Sequence, residues 1–246
     1  IPHGQELRVA GHRVVHGGRQ YNQPQLATPA LLRALKDLIP LAPDHLPQEV
    51  EAIEILQRLH PNLRQVVCFD TAFHRTMPPM AQLYGLPMKL AEEGIIRYGF
   101  HGLSYEYIVQ ELARQAGEQA SRGRIVVAHL GSGASLAAIR DGKSVDTTMG
   151  FTPTGGLPMS TRSGDLDPGV VLYLLQEKNY SSSQVSELVT KKAGLLGLSG
   201  IDSDMKDLLA KEKENTLAAE AIAVFCYQAK KYIGALAAAL GGLDTL

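Results

Sequence analysis

The hydrophobic positions of this chain form two kinds of pattern, short β-branched runs and longer stretches with a helical period. The runs at 7–16, 65–69 and 124–130 predict strands, because Val and Ile are frequent in them. A further apolar run at 134–139 follows a tight turn and predicts the second strand of a hairpin. Helical periodicity predicts helices over 29–38, 47–59, 105–115, 169–176, 181–192, a segment that follows Lys206, and 216–240. This mixture predicts an α/β fold.

Several polar and glycine residues mark where the predicted elements begin and end. Thr28 followed by Pro29 is typical of an N-cap and first helical position, and Ser104 is predicted to cap the helix that follows it. The glycines within 194–200 predict turns. The last helix, at 216–240, is rich in Ala and apolar on much of its surface, which predicts that it is buried in a core.

Composition narrows the class of protein. The chain has 246 residues, 45% of them hydrophobic and 20% charged, with a net charge of −1. This near-neutral charge argues against a general nucleic-acid or membrane-surface binder. Cys68 and Cys226 lie in apolar runs without metal-type spacing, so buried free thiols are expected. No signal-peptide pattern or bilayer-length apolar run is present, and the expected location is the cytoplasm.

The hairpin turn carries candidate chemistry. Gly131 and Gly133 flank Ser132 directly after a predicted strand, and His129 lies beside them. Such glycines can adopt positive φ and let backbone N–H groups approach an anion, which favours a phosphate site. An ordinary hairpin turn is the alternative interpretation. The dinucleotide fingerprint and the P-loop are both excluded, because Leu and Ala occupy positions where each needs glycine.

Other polar residues stand at positions where ligands often bind. Asp70 follows the strand at 65–69, at the end where α/β sheets bind ligands, although it could equally cap a turn. His12 and His16 flank Arg13 and the β-branched pair Val14-Val15, so they would share one face of the predicted strand. No acidic ligand accompanies them, and an anion-facing or structural role is favoured over metal binding. His101 precedes a helix, where a structural hydrogen bond is the common role. Arg162 lies in a long Gly- and Pro-rich loop at 146–168, and such loops are often functional.

Five segments in this order resemble the acetate kinase family: GHRVVHGG at 11–18, FDTAFH at 69–74, YGFHG at 98–102, HLGSG at 129–133, and MGFTP through TRSGDLDP at 149–168. The family belongs to the superfamily of actin, sugar kinases and chaperone ATPases. The resemblance implies an actin/ribonuclease H-like ATPase fold of two similar domains, incomplete in this chain. Residues 1–72 would be a remnant of the N-terminal domain, and 73–246 most of the second, nucleotide-binding domain.

The resemblance implies a carboxylate kinase that converts ATP and acetate to acetyl phosphate and ADP reversibly, with Mg²⁺ or Mn²⁺, as a homodimer. Arg13 and Arg162 would hold the carboxylate and the migrating phosphoryl group, and His101 and Arg162 would stabilise the transition state. Asp70 would organise the metal or the acyl substrate. These four are the expected catalytic residues.

The resemblance also assigns binding residues. Val15, Phe100 and Pro153 would form a small apolar pocket for the acetate methyl group, and His45 would line the same cleft. The nucleotide would be bound by His129, Leu130, Gly131, Ser132, Gly133, Asp204, Met205 and Lys206.

The sequence departs from the family pattern in several places. Ser132 replaces Asn, Lys206 replaces Arg, and Leu46 replaces Asn before Pro47. Asp44 replaces an apolar pocket residue, so either its carboxylate turns to solvent or the acyl specificity differs. The family's opening strand with its phosphate turn, and a C-terminal Gly-Gly turn and metal-binding Glu, have no counterpart. The chain is therefore expected to be an internal fragment, lacking full activity.

Three alternatives remain open at this stage. A propionate or other short-chain acyl kinase would differ only in the pocket at Val15, Phe100 and Asp44. A non-catalytic actin-like assembly or regulatory protein belongs to another class. The missing terminal segments favour it, whereas the retained Arg13, Asp70, His101 and Arg162 speak against it. A sugar kinase would need a carboxylate base to deprotonate a hydroxyl group, whereas paired arginines favour an anionic substrate.

Overall fold

The computed structural model describes residues 7–246, and its first sheet contains three strands. The strands are β1 (Val9–Val14), β2 (Gln25–Leu26) and β3 (Arg64–Phe69), in the order β1-β3-β2. β1 and β3 are parallel, with Val14 opposite Phe69. Because parallel strands end at the same edge, the residues next to these ends, Arg13 and Asp70, lie close together.

A second sheet is an antiparallel meander of β4 (Arg124–Leu130), β5 (Ala134–Arg140) and β6 (Lys143–Thr147). The predicted hairpin is confirmed, whereas β6 is an additional strand that the sequence analysis missed. Asp141 and Gly142 join it to β5, with φ of 52° and 71°. Asp-Gly with positive φ at both residues is a strong hairpin signal, and it was present in the sequence.

The helices surround these sheets. Their bounds are α1 Pro29–Asp37, α2 Leu46–Leu59, α3 Pro79–Gln82, α4 Met88–Glu92, α5 Gly102–Ala116, α6 Glu118–Ser121, α7 Pro168–Gln176, α8 Ser182–Lys191, α9 Gly194–Ser199, α10 Met205–Lys211 and α11 Thr216–Leu240. Short 3-10 turns cover Ile39–Leu41 and Phe73–Thr76. The predicted cap at Thr28 is confirmed, because its Oγ1 accepts from the N–H of Leu31 at 3.2 Å.

Several sequence-based expectations were wrong. α5 begins at Gly102 with His101 as N-cap, so Ser104 lies inside the first turn and leaves its hydroxyl for another partner. The segment predicted as turns after position 193 forms α9. α11 buries one face, and Tyr227 on its other side is 65% exposed. Cys226 is exposed as well.

One hydrophobic cluster connects the two sheets. Val14 and Phe69 of the first sheet belong to the same buried cluster as Val126 and Leu136 of the second, with Phe100 among them. Burying a large apolar side chain stabilises a fold by about 1.5–3 kcal/mol, so this cluster holds the strand ends of both sheets in a fixed relation. The domain boundary at residue 72 stays a prediction. Among the described helices, none has the length and hydropathy needed to cross a bilayer.

Candidate active site

A cavity of about 670 Å³ lies where the ends of β1 and β3 meet the turn between β4 and β5. All the expected catalytic and substrate-binding residues line it, although they come from separate segments of the chain. Its lining consists of Arg13, Val15, His45, Glu49, Asp70, Phe100, His101, Leu103, Ser104, Tyr107, His129, Ser132, Gly133, Pro153 and Arg162.

Arg13 and Asp70 form an ion pair at one side of the cavity. Nη2 of Arg13 donates to Oδ2 of Asp70 at 2.6 Å, and Nε donates to Oδ1 at 3.0 Å. The Asp70 side chain is 2% exposed and that of Arg13 is 59% exposed. Hydrogen bonding to Asp70 raises the pKa of Arg13 above its ordinary value. The pair fixes the guanidinium through Nε and Nη2, and Nη1 makes no hydrogen bond to another residue of 7–246.

Arg162 contributes a second guanidinium and is held differently. Nη1 donates to the carbonyl of Pro153 at 3.1 Å, and Nη2 lies 3.4 Å from Nε2 of His45. Over residues 7–246, no carboxylate forms an ion pair with it. Burial lowers the pKa of Arg162 from its ordinary value, because a desolvated cation without a counterion is unfavourable. An anionic ligand would supply that missing counterion.

His101 stands at the centre of the cavity in an unusual backbone conformation. Its φ and ψ are 60° and 19°, the left-handed region that costs a non-glycine residue free energy and is concentrated at functional sites. Nδ1 lies 2.8 Å from Oγ of Ser135. Burial, together with nearby His129 and the two arginines, lowers the pKa of His101 to about 3. The imidazole is therefore neutral at pH 7.

His129 borders His101, and His45 is a third histidine in the cavity lining. The ring of His129 stacks on that of His101 at a centroid distance of 4.2 Å, and its Nδ1 lies 3.0 Å from Oγ of Ser104. Burial also lowers the pKa values of His129 and His45. The positive charge of the cavity is thus carried by the two arginines, and the histidines serve as neutral hydrogen-bonding groups.

The glycine turn closes the cavity, but not through positive φ as the sequence had indicated. Gly131 and Gly133 both have ordinary negative or extended φ values. The space beside Gly133 faces two candidate catalytic side chains: a Cβ built there would lie 3.4 Å from Nε2 of His101 and 3.5 Å from Nη1 of Arg162, in ordinary van der Waals contact with both. The N–H of Gly131 is already bonded to the carbonyl of Gly133 at 3.2 Å, which leaves fewer free donors in the turn than expected.

A second cavity of about 570 Å³ lies on the other side of this turn and shares Ser132 with the first. The remaining expected nucleotide-binding residues meet here, although they are more than 70 positions apart in sequence. The lining consists of Leu130, Gly131, Ser132, Ser160, Leu195, Asp204, Met205, Lys206, Leu209 and Phe225. Of the expected nucleotide-binding set, His129 and Gly133 line the first cavity instead.

Two carboxylates near the cavity differ from expectation. Asp44 does not line it; its carboxylate points away and accepts from Nζ of Lys191 at 3.0 Å, which removes the anticipated conflict with an apolar pocket. Glu49, which the sequence analysis missed, does line it. Oε2 of Glu49 accepts from the N–H of Val15 at 3.1 Å, and burial raises its pKa. No sequence signal distinguished Glu49 from other polar residues of a helix.

Convergent guanidinium groups, neutral imidazoles and a glycine turn between two cavities form a site for anionic ligands in an α/β framework. Comparisons with known proteins identify the family to which this framework belongs. The model of the Acetokinase family matches residues 1–246. The acetate kinase of Rhodopseudomonas palustris strain TIE-1 is 51% identical over 240 residues, covering 98% of this chain and 60% of the relative.

Solved structures give the same result. The crystal structure of Porphyromonas gingivalis acetate kinase matches with a TM-score of 0.88 and 42% identity, over 95% of this chain and 59% of that one. A propionate kinase from Francisella tularensis matches with a TM-score of 0.91 and 38% identity, over 96% of this chain and 61% of that one. The chain belongs to the acetokinase family and has the fold of these kinases. It spans about 60% of the length of the curated relatives that it matches.

Proposed function

We propose that the protein transfers the γ-phosphoryl group of ATP to acetate, giving acetyl phosphate and ADP reversibly. The observation that carries this proposal is the convergence of Arg13, Arg162 and His101 on one cavity, with Arg162 lacking a carboxylate partner in the described chain. A carboxylate oxygen of acetate attacks the γ-phosphorus, the bond to the bridging oxygen breaks, and its electron pair leaves with ADP. No proton has to be removed from the substrate.

This lack of a proton transfer separates a carboxylate kinase from a sugar kinase, which needs a free carboxylate as base. The two carboxylates that line the cavity are both engaged. Asp70 accepts from two nitrogens of Arg13, and Glu49 accepts from the N–H of Val15. The anionic acceptor is the better fit to this site.

The roles follow from charge and position. Nη1 of Arg13 and the fork of Arg162 would hold the carboxylate and the phosphoryl oxygens, since a planar guanidinium binds either in bidentate fashion. His101 would donate to the phosphoryl group as charge spreads over its oxygens. The buried side chains of Val15 and Phe100, with Pro153, would enclose the methyl group.

The nucleotide would occupy the second cavity. Asp204, Met205 and Lys206 would border the adenosine, and the 131–133 turn would separate it from the acyl site, with the phosphates passing over Ser132 and Gly133. Because Gly133 lacks a side chain, a phosphate could approach both His101 and Arg162 there.

Mg²⁺ would accompany ATP. No cluster of three or more acidic, His or Cys ligands exists in residues 7–246, and both oxygens of Asp70 already accept from Arg13. Mg²⁺ keeps several waters and binds through one or two carboxylates plus phosphate oxygens, so Asp70 fits as a single ligand or water-mediated partner. The metal would neutralise charge on the phosphates.

The assembly and location are proposals as well. We propose a cytoplasmic homodimer, and α7 is a candidate for its contact surface. This helix buries none of its residues in the described chain, and Leu172 and Tyr173 are each 53% exposed. Light scattering tests this proposal. The wild type is expected to have the mass of a dimer, and Leu172→Lys the mass of a monomer.

Propionate kinase is the second candidate, because a propionate kinase of Francisella tularensis superimposes closely on this chain. Trapping of the acyl phosphate with hydroxylamine tests both, using ATP, Mg²⁺ and either acetate or propionate. The 246-residue chain and the complete gene product are assayed in parallel, with Arg162→Ala as control. Hydroxamate that depends on Arg162 supports the proposal, and the favoured acid identifies the substrate. A folded complete protein that forms no hydroxamate from either acid overturns it.

A further inference from the structure

We propose that Tyr105 and Ser135 act as positioning residues that hold His101 in one ring orientation and one tautomer, with the proton on Nε2. The catalytic meaning of this inference rests on the proposed function. The tautomer itself does not, because it follows from hydrogen bonds within the protein.

The three side chains form a linear hydrogen-bonded series that leads from the core to the cavity. Oγ of Ser135 lies 2.8 Å from Nδ1 of His101 and also bonds the hydroxyl of Tyr105. Tyr105 and Ser135 are both 0% exposed, so water does not compete for these bonds. Tyr105 lies one helical turn after His101 in α5, whereas Ser135 comes from β5.

Counting protons assigns the direction of the series. Over residues 7–246, Ser135 is the hydrogen-bond partner of the Tyr105 hydroxyl, so a buried phenol proton must be donated to Ser135 Oγ. If Nδ1 of His101 also donated, Ser135 Oγ would accept twice and its own proton would have no partner among the described residues. Ser135 therefore donates its proton to Nδ1, which accepts it. A neutral imidazole carries one proton, and that proton is on Nε2.

The protonation states agree with this assignment. Burial raises the pKa of Tyr105 above its ordinary value, so the phenol keeps its proton. Burial and neighbouring positive groups keep His101 neutral at physiological pH. A charged imidazolium would donate from both nitrogens, so Ser135 would accept twice and its proton would be left without a partner in residues 7–246.

Nε2 faces the place where chemistry would occur. It is the His101 atom nearest to a Cβ built at Gly133, at 3.4 Å, and Nη1 of Arg162 is 3.5 Å from the same point. The stacked ring of His129 and the left-handed backbone of His101 restrict the remaining motion of the ring. With the proton on Nε2, the ring donates to a phosphoryl oxygen; the other tautomer would direct a lone pair at it.

The backbone of His101 is supported separately. His74, fully buried, has Nε2 2.9 Å from the carbonyl of Phe100 and Nδ1 2.8 Å from Oγ of Ser144. The Tyr105–Ser135 series bonds only the side chain of His101, and Tyr105→Phe keeps the ring that packs against His74 at a centroid distance of 5.5 Å. Removing a hydroxyl from that series should therefore change the tautomer without changing the backbone.

The test is nitrogen NMR of the 246-residue chain labelled with ¹⁵N-histidine, with His101 assigned by a His101→Gln variant. Two-bond ¹H–¹⁵N spectra distinguish protonated from unprotonated ring nitrogens. Wild type is expected to show His101 with the proton on Nε2 alone. In Ser135→Ala and Tyr105→Phe, the ¹⁵N chemical shifts of both ring nitrogens of His101 are expected to move toward the average for a mixture of the two tautomers. Tyr98→Phe, which removes another buried hydroxyl bonded to Gly94, is the matched control and should leave His101 unchanged.

Steady-state kinetics of the same variants supply the functional readout. Full loss of a transition-state donor costs about 10²–10³ in kcat, so loss of its positioning is expected to lower kcat about 10- to 100-fold with a smaller change in KM. A wild-type His101 protonated on Nδ1 overturns the inference, even where a variant fails to fold. Unchanged His101 signals in folded Ser135→Ala and Tyr105→Phe also overturn it. If the tautomer behaves as expected but neither the wild type nor any variant forms acyl phosphate, the proposed function fails. The inference about the Tyr105–Ser135 series is then still supported.

Discussion

The guanidinium of Arg13 is bonded through Nε and Nη2 to the buried carboxylate of Asp70, which is 57 positions away in sequence. The parallel pairing of β1 with β3 brings the two residues together. This ion pair indicates that Asp70 fixes the orientation of the Arg13 guanidinium in the cavity.

A double-mutant cycle on this pair is the first prediction. Asp70→Ala should reduce kcat/KM for acetate because Arg13 loses its fixed orientation, and Arg13→Ala should reduce it at least as much. The double variant is expected to be no worse than the more damaging single one, since residues that act as a unit are non-additive. Additive losses would mean that Asp70 acts independently of Arg13, for instance on the metal alone.

Arg162→Ala is expected to lower kcat by about 10²–10³, as loss of a preorganised charge-stabilising group does. Arg162→Lys should recover only part of it, because an ammonium lacks the planar fork. Arg122→Ala, at an exposed position remote from the cavity, is the matched control in steady-state assays. A kcat for Arg162→Ala equal to that of the control would remove Arg162 from the mechanism.

Gly133→Ala should separate catalysis from folding. The backbone at 133 accepts a side chain, but the added methyl would occupy the space between His101 and Arg162. We expect kcat to fall at least tenfold while the free energy of unfolding changes by less than about 1 kcal/mol. Gly11→Ala, at a strand position with open space around it, is the control in both urea unfolding and activity measurements. Equal activity of the two variants would argue against a ligand at Gly133.

Asp44→Leu is expected to leave the ratio of acetate to propionate activity unchanged. The carboxylate pairs with Lys191 outside the cavity, and both side chains are largely exposed, at 45% and 61%. Such a pair contributes at most about 1 kcal/mol to stability. Comparison of kcat/KM for the two acids decides the matter, and a change in preference would show that Asp44 reaches the pocket in the working enzyme.

The free energy of unfolding should decrease as the pH is lowered below neutrality. Burial lowers the pKa values of His16 and His74 to about 4, from 6.5. As the pH falls, the unfolded chain binds protons at these histidines before the folded chain does. Their contribution to the free energy of unfolding is therefore complete above pH 6.5 and is lost as the pH falls toward 4. The loss at pH 5 is on the order of 2 kcal/mol for each histidine. Urea unfolding at pH 7 and 5 measures it.

A substitution of His16 tests how much of this pH dependence comes from that residue. Nε2 of His16 has no hydrogen-bond partner within the described residues, and the ring packs against Tyr98 at a centroid distance of 4.4 Å. His16→Phe should keep the packing and reduce the difference in stability between pH 7 and 5. An unchanged difference would place the proton uptake elsewhere.

Much of the local structure was predictable because its causes are local. The cap at Thr28, the hairpin of β4 and β5, and the extent of α11 follow from neighbouring residue types and hydrophobic period. The motifs that resemble the acetate kinase family likewise lie within short segments, and they identified the family correctly. Even the missed strand β6 had a local signal in Asp141 and Gly142.

What the tertiary structure alone decided concerns groups distant in sequence. Hydrophobic period cannot show that Tyr105 and Ser135 meet behind His101, or that Asp44 turns to Lys191 rather than into the cavity. The residues of the 131–133 turn likewise do not show that the space beside Gly133 faces His101 and Arg162 across the cleft. Side-chain direction and close approach depend on packing between elements, and the energy of such contacts exists only once the whole core has brought those elements together.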